Sequence, residues 1–187
     1  MKSVLISIKP KWCELIKQGK KTVEIRKTRP KIDVPFKVYI YETKTPLKWN
    51  KAHNNIIGGE GGKVIGEFVC DRIDEIGYSP EMHGQYISNI DNLHEVSCVN
   101  FEEMFDYIAD GFGYGWHISN LVIYDKPKEL NEFFFPPEKY CEKELCGDCP
   151  KYEIPSYEYG EVEFDCEWKR PLARPPQSWC YVEELRA

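Results

Sequence analysis

Gly19-Lys20-Lys21-Thr22-Val23-Glu24-Ile25-Arg26 is the point where a helical pattern gives way to an alternating one. Upstream, Pro10 and Gly19 bracket a short helix in which Trp12, Leu15 and Ile16 share one face, because proline is favoured at the first helical turn and glycine just past the last. Downstream, side chains alternate along a strand. Val23 and Ile25 therefore point into a core, while Thr22, Glu24 and Arg26 form a row on the other face beside Lys20 and Lys21. A hydroxyl, a carboxylate, a guanidinium and two ammonium groups suit a ligand with several donors and acceptors and negative charge, which describes a nucleotide better than a lipid or a sugar. An exposed strand face with a solvated ion pair is the plainer reading of the same row, since such pairs contribute little.

The run GKKTVEIR follows a short strand, Val4 to Ile8, and the proline-started helix. Together they resemble the G-x-K-x-x-E-x-R signature of ASCH domains, which belong to the PUA-like superfamily. The resemblance covers about the first 30 residues. It implies an α+β fold, a PUA-like β-barrel with flanking helices, whose cleft beside the first helix takes RNA or a modified base. Lys20, Lys21, Thr22, Glu24, Arg26 and Arg29 are then the candidate nucleic-acid-binding residues. One branch similar to this chain hydrolyses N-acetylated cytidine with a Lys, a Thr and a Glu. The resemblance places that Lys on Lys21, puts Glu24 where the branch has Thr, and leaves Glu67, Glu75 and Glu81 as candidates for the acid.

Composition sets the wider limits. A chain of 187 residues with 42% hydrophobic and 14% aromatic residues is expected to fold as one domain with a buried core. Its net charge is −6, yet residues 1–51 carry 14 Lys and Arg against 4 Asp and Glu. A basic first quarter on an acidic body predicts one local, salt-sensitive polyanion site. No stretch approaches the ~20 apolar residues of a membrane helix, and Val4 to Ile8 is too short for a leader peptide of the usual kind. The protein is accordingly expected to be cytoplasmic, with no membrane partner.

Beyond the signature, Phe36 to Tyr41 alternates and is expected to pair with the strand at Thr22 to Lys27. Residues 43–63 read as a glycine-rich, hairpin-like connection in which Trp49 and its lysines form a flap over nucleic acid or a plain surface loop. Lys63 to Ile76 reads as one strand, and a weak helix is expected near Pro80 to Asn89. Phe101 to Ala109 has a helix N-cap at Asn100 and a capping box completed by Glu103, with Phe101, Met104, Phe105 and Ile108 as its buried stripe. Gly111 to Gly115 reads as a glycine-aromatic turn before a strand from Trp116 to Tyr124, with Tyr114 or Trp116 as a base-stacking candidate and His117 as a structural histidine.

Residues 136–176 change character, holding seven of the thirteen prolines and Cys141, Cys146, Cys149 and Cys166. The C-x4-C-x2-C-x16-C spacing suggests a structural zinc site that would staple this insertion before the final strand. Unpaired thiols, an iron–sulfur cluster or a disulfide are the other readings. Cys13, Cys70, Cys98 and Cys180 read as buried thiols. Arg170 to Val182 returns to a strand pattern that should close the barrel near the N-terminal strands, with Arg170 and Arg174 on a basic rim. RNA or a modified nucleoside is thus the expected ligand. An amidohydrolase or ribonuclease using Lys21 and Glu24 is the alternative, and a protein-interaction module built on the cysteine-rich loop is a third reading.

Overall fold

The computed structural model describes residues 2–50, 53–82, 85–109, 111–136 and 171–185. In chain order its elements are β1 (Lys2–Ile8), α1 (Pro10–Lys17), β2 (Val23–Arg26), β3 (Phe36–Glu42), β4 (Lys48–Asn50), β5 (Asn55–Ile57), β6 (Lys63–Cys70) and β7 (Ile73–Ser79). There follow β8 (Gln85–Ser88), α2 (Leu93–Ser97), α3 (Phe101–Ile108), β9 (Phe112–His117), β10 (Ser119–Lys128) and β11 (Trp179–Glu183). Among the described residues no helix is long and apolar enough to cross a membrane.

The main strands form two sheets, ordered β10-β6-β3-β1-β11 and β2-β9-β7-β8, and β4 pairs with β5 as a separate hairpin. The class is α+β as expected. A single closed barrel is not found among the described residues, because β2 pairs with β9 instead of β3, while β3 lies between β1 and β6 in the other sheet. The connection after Arg26 therefore crosses from one sheet to the other. The final strand does return to the N-terminal one, with β11 antiparallel to β1 from Lys2 opposite Glu183 to Ile6 opposite Trp179.

Three apolar clusters follow from strand alternation. Val4, Ile6 and Ile8 of β1 face a core shared with Cys13 and Ile16 of α1, Val38 and Ile40 of β3, and Trp116 of β9, so this cluster joins the sheets. Leu5 faces the opposite way, onto Tyr39, Val182, Phe133 and Leu172. Because β1 is covered on both faces, it reads as a continuous apolar run. Val23 and Ile25 of β2 pack with Met104 and Ile108 of α3, the inward face predicted for them.

Helix α3 has the predicted capping box: the Asn100 side chain accepts from the Glu103 N–H at 2.8 Å. Its stripe is narrower than expected. Met104 and Ile108 are buried, whereas Phe101 and Phe105 are exposed and join Tyr78 and Tyr86 in an aromatic group on the surface. The 63–76 segment divides into β6 and β7, and the weak helix near residue 85 is instead a 3-10 turn at Pro80–Met82 followed by β8. The supposed glycine-aromatic turn is strand β9, and a break at Ile118 separates it from β10. Its glycines leave room for neighbours: a Cβ on Gly115 would lie 2.4 Å from Ile90 Cδ1 and 3.0 Å from Val23 Cγ1.

Candidate nucleic-acid interface

The site begins at the end of α1. Gly19 adopts φ +69°, its N–H donates to the Ile16 carbonyl at 2.9 Å, and the Lys20 N–H donates to the Leu15 carbonyl at 3.0 Å. This is the Schellman ending that glycine permits. It turns the chain back beneath the helix, so that Lys20 stays exposed while Lys21 is carried inward, 2% exposed. The Lys21 ammonium then lies 5.1 Å from the Trp12 ring centroid.

Glu24 joins the buried cations. Its Oε2 is 3.2 Å from Lys21 Nζ and its Oε1 is 3.0 Å from Arg26 Nη2. Lys21 also donates to the Ser97 carbonyl at 2.6 Å, at the end of α2, and Arg26 Nη2 donates to the Ser7 carbonyl at 2.7 Å on β1. Arg26 Nη1 reaches Ser178 Oγ at 3.5 Å. Charges removed from water are costly unless paired and hydrogen-bonded. Here one carboxylate serves two cations, and a main-chain carbonyl supplements each. The cluster keeps one net positive charge, and Arg26 Nε is buried without a hydrogen-bond partner among the described residues.

Lys21, Glu24 and Arg26 form one wall of a cleft of about 1060 Å³. Trp12 lines it from α1, and Lys9 and Lys44 lie together at its edge, where the Thr43 N–H donates to the Ile8 carbonyl at 2.9 Å. Helix α3 supplies Glu103, Asp106 and Tyr107. The Lys11 ammonium, 2.6 Å from Glu103, and the N–H of Asn100 hold the Glu103 carboxyl below the usual carboxylate range. The remaining wall is Leu130 with Ala173, Pro175, Pro176 and Gln177. That strap is fastened at both ends. Leu172 is buried and donates to the Phe133 carbonyl at 2.8 Å, while Ser7 Oγ donates to the Pro176 carbonyl at 2.7 Å.

Of the six predicted binding residues, Lys21, Glu24 and Arg26 come together in the cleft wall. Lys20 and Thr22 are exposed and outside it; the Thr22 main chain is used by Val96 and Ile118. Arg29 is also outside, its guanidinium 5.9 Å from the Tyr114 ring. Trp116, one of the stacking candidates, is fully buried between Phe36 and Trp179. His117 is held by Asp74 at 2.7 Å and Arg72 at 3.2 Å, away from the cleft, in keeping with a structural histidine. None of Glu67, Glu75 and Glu81 lines the cleft: Glu67 binds Lys37 and Tyr124, and the other two are exposed. Cys141, Cys146, Cys149 and Cys166 and the whole span 137–170 lie outside the described residues, as does Arg170. Of the four cysteines read as buried thiols, Cys13 and Cys70 are buried whereas Cys98 and Cys180 are only half-buried; desolvation pushes the Cys70 thiol up to about 12 and the Cys180 thiol up to about 11.

Sequence reasoning missed the contributions of Ser7, Ser97 and Ser178 and the strap at 173–177. The first two act through main-chain carbonyls, which carry no local sequence signal. The two acids of α3 that reach the cleft were readable only as helix-surface charges.

The ASCH domain profile matches residues 6–124, more than half of the chain. The chain belongs to the ASCH domain family. Among solved structures this ASCH domain is similar to the crystal structure of ASCH from Zymomonas mobilis, at 18% identity over 70% of this chain and 75% of that one, with a TM-score of 0.50. Two mutant forms of the same Zymomonas mobilis protein align at 18% identity with TM-scores of 0.48 and 0.47. No curated protein sequence matches the chain. The wall formed by Leu130 and the 173–177 strap lies beyond the matched range, so in this ASCH domain one side of the cleft is built from residues outside the family profile.

Proposed function

We propose that this ASCH domain binds RNA, or a modified nucleoside derived from it, with one nucleoside unit held in the cleft. The observation that carries this reading is the buried, net-positive Lys21–Glu24–Arg26 cluster in the wall of a nucleotide-sized hollow. Small-molecule sites of this kind measure ~300–1,000 Å³ and place a few polar groups in a largely apolar lining. The cations meet phosphate or base acceptors, Glu24 accepts from a base, and Trp12 offers an aromatic face. Fluorescence anisotropy with labelled RNA tests it. Arg26→Lys and Lys21→Met are expected to weaken binding about 10- to 100-fold, the effect of losing a hydrogen bond to a charged group. Affinity unchanged in both folded variants would overturn the reading.

The 3.2 Å contact between Lys21 Nζ and Glu24 Oε2 favours a second reading, a hydrolase acting on an acylated nucleoside or on RNA. An ammonium and a carboxylate within hydrogen-bond reach are the pair that general acid–base chemistry uses. Turnover of N-acetylcytidine or a fluorogenic RNA that is lost in Lys21→Met would establish it; no turnover at high protein concentration would remove it.

The C-x4-C-x2-C-x16-C spacing also supports one structural zinc ion on Cys141, Cys146, Cys149 and Cys166. Metal analysis of purified protein is expected to return about one equivalent of zinc. A value under about a tenth of an equivalent would end that proposal.

A further inference from the structure

Beyond the cleft, the segment after β2 carries a feature that the single-unit site does not use. Lys27 Nζ lies 5.2 Å from the centroid of Tyr107, and the Arg29 guanidinium lies 5.9 Å from the centroid of Tyr114. Both aromatics adjoin the cleft wall: Tyr107 lines the cleft, and Tyr114 is the register partner of Arg26. Lys27, Arg29 and Lys31 are exposed, and among the described residues none of them forms an ion pair. Acids are also present: Asp33 is exposed two residues past Lys31, Asp106 precedes Tyr107 on α3, and Glu75 lies opposite Tyr114 on β7.

The segment that presents these cations is tied at two points to β11. Trp179 Nε1 donates to Thr28 Oγ1 at 3.0 Å, and the Lys31 N–H donates to the Tyr181 hydroxyl at 2.7 Å. A segment ordered in advance loses less entropy when a ligand arrives. Alternating cations and aromatic faces are what single-stranded nucleic acid uses, since each base has a face to stack and each linkage a charge to neutralise. An acidic peptide would engage the cations and leave the rings unused.

Building on the cleft reading above, we propose that the ligand is a single strand of RNA at least two nucleotides long. One unit occupies the cleft. Its neighbour stacks on the shelf made by Tyr107 and Lys27, with the linking phosphate between Lys27 and Arg29. The shelf is a subsite separate from the Lys21–Glu24–Arg26 cluster.

The test compares two probes on the full chain, a randomised hexanucleotide RNA pool and an equimolar mixture of nucleoside 5′-monophosphates, by competition anisotropy. The pool is expected to bind at least about 10-fold tighter, as one added stacked base would give. The exposed double variant Lys27→Ala/Arg29→Ala, with its melting temperature checked, is expected to remove that advantage. It should also flatten the plot of log K against log salt by about 0.7, the value for one phosphate contact on a single strand. Monophosphate binding should be unchanged by the double variant. A pool that binds no tighter than the monophosphates, or whose advantage survives in the double variant, overturns the shelf while leaving the cleft reading intact. Failure of both probes to bind would overturn the cleft reading and the shelf with it.

Discussion

Glu24→Ala lowers stability by about 3–5 kcal/mol, the range found when one partner of a buried ion pair is removed. The size follows from geometry. Glu24, 5% exposed, is among the described residues the one carboxylate in contact with Lys21 and Arg26, which are 2% and 6% exposed, and its loss leaves two buried cations with only main-chain carbonyls and the Ser178 hydroxyl as acceptors. For a domain of this size that corresponds to a fall in melting temperature on the order of 10 °C. Glu24→Gln keeps the shape and one acceptor, so its cost should be clearly smaller. Lys21→Met combined with Glu24→Gln should cost less than the sum of the two single changes, since contacting charges are not additive. Thermal melts of the parent and the four variants decide the matter. A Glu24→Ala variant within about 0.5 kcal/mol of the parent would show that the carboxylate contributes nothing to the fold.

Trp116→Ala has an effect of similar size from a different cause. The side chain is fully buried, packed edge-on against Phe36 at 5.8 Å and beside Trp179 at 6.0 Å, where it joins the two sheets. Truncating such a side chain costs about 3–5 kcal/mol through lost transfer free energy and the cavity left behind. Trp116→Phe should be much milder, because the indole Nε1 has no hydrogen-bond partner among the described residues and no bond is lost with it. Trp116 is also the register partner of Glu24 on the adjoining strand. Loosening it is expected to reduce ligand affinity even where the variant remains folded. Urea unfolding and anisotropy on the same two variants separate these effects; equal losses for Ala and Phe would contradict the packing argument.

Much of the site was legible because one octapeptide encodes it locally. Gly19 ends a helix, Val23 and Ile25 mark the inward face, and Glu24 and Arg26 must then share the other. Lys21 entered the cluster for a reason that alternation does not contain: the glycine turn places it before the strand begins, on the inner side, while Thr22 is left in solvent. The pairing of β2 was misjudged because neighbouring strands usually pair, and here a nine-residue connection, 27–35, changes sheets instead. The stretch Gly111 to Trp116 does carry a period of two, small residues against aromatic ones, and that is a strand signature when neighbouring side chains, here Ile108, Ile90 and Val23, press on the glycine face. Glycine's reputation as a turn residue hid it. The strap was out of reach because its anchor on Ser7 lies more than a hundred residues away in sequence, and the Ser7 carbonyl, though near Arg26 in the chain, is a main-chain group with no side-chain signal.

That distance has a consequence for how the molecule is made. During synthesis, β1 emerges long before β11, so one edge of the first strand waits without its neighbour and Arg26 waits without Ser178 until more than 150 further residues have followed. Pairing across such a separation is entropically slow and leaves an open strand edge in the meantime. The portion matched by the ASCH profile can therefore assemble its cation cluster early, but the pocket acquires its far side only when the returning strand docks. A nascent chain stalled before that event would present a half-built trough.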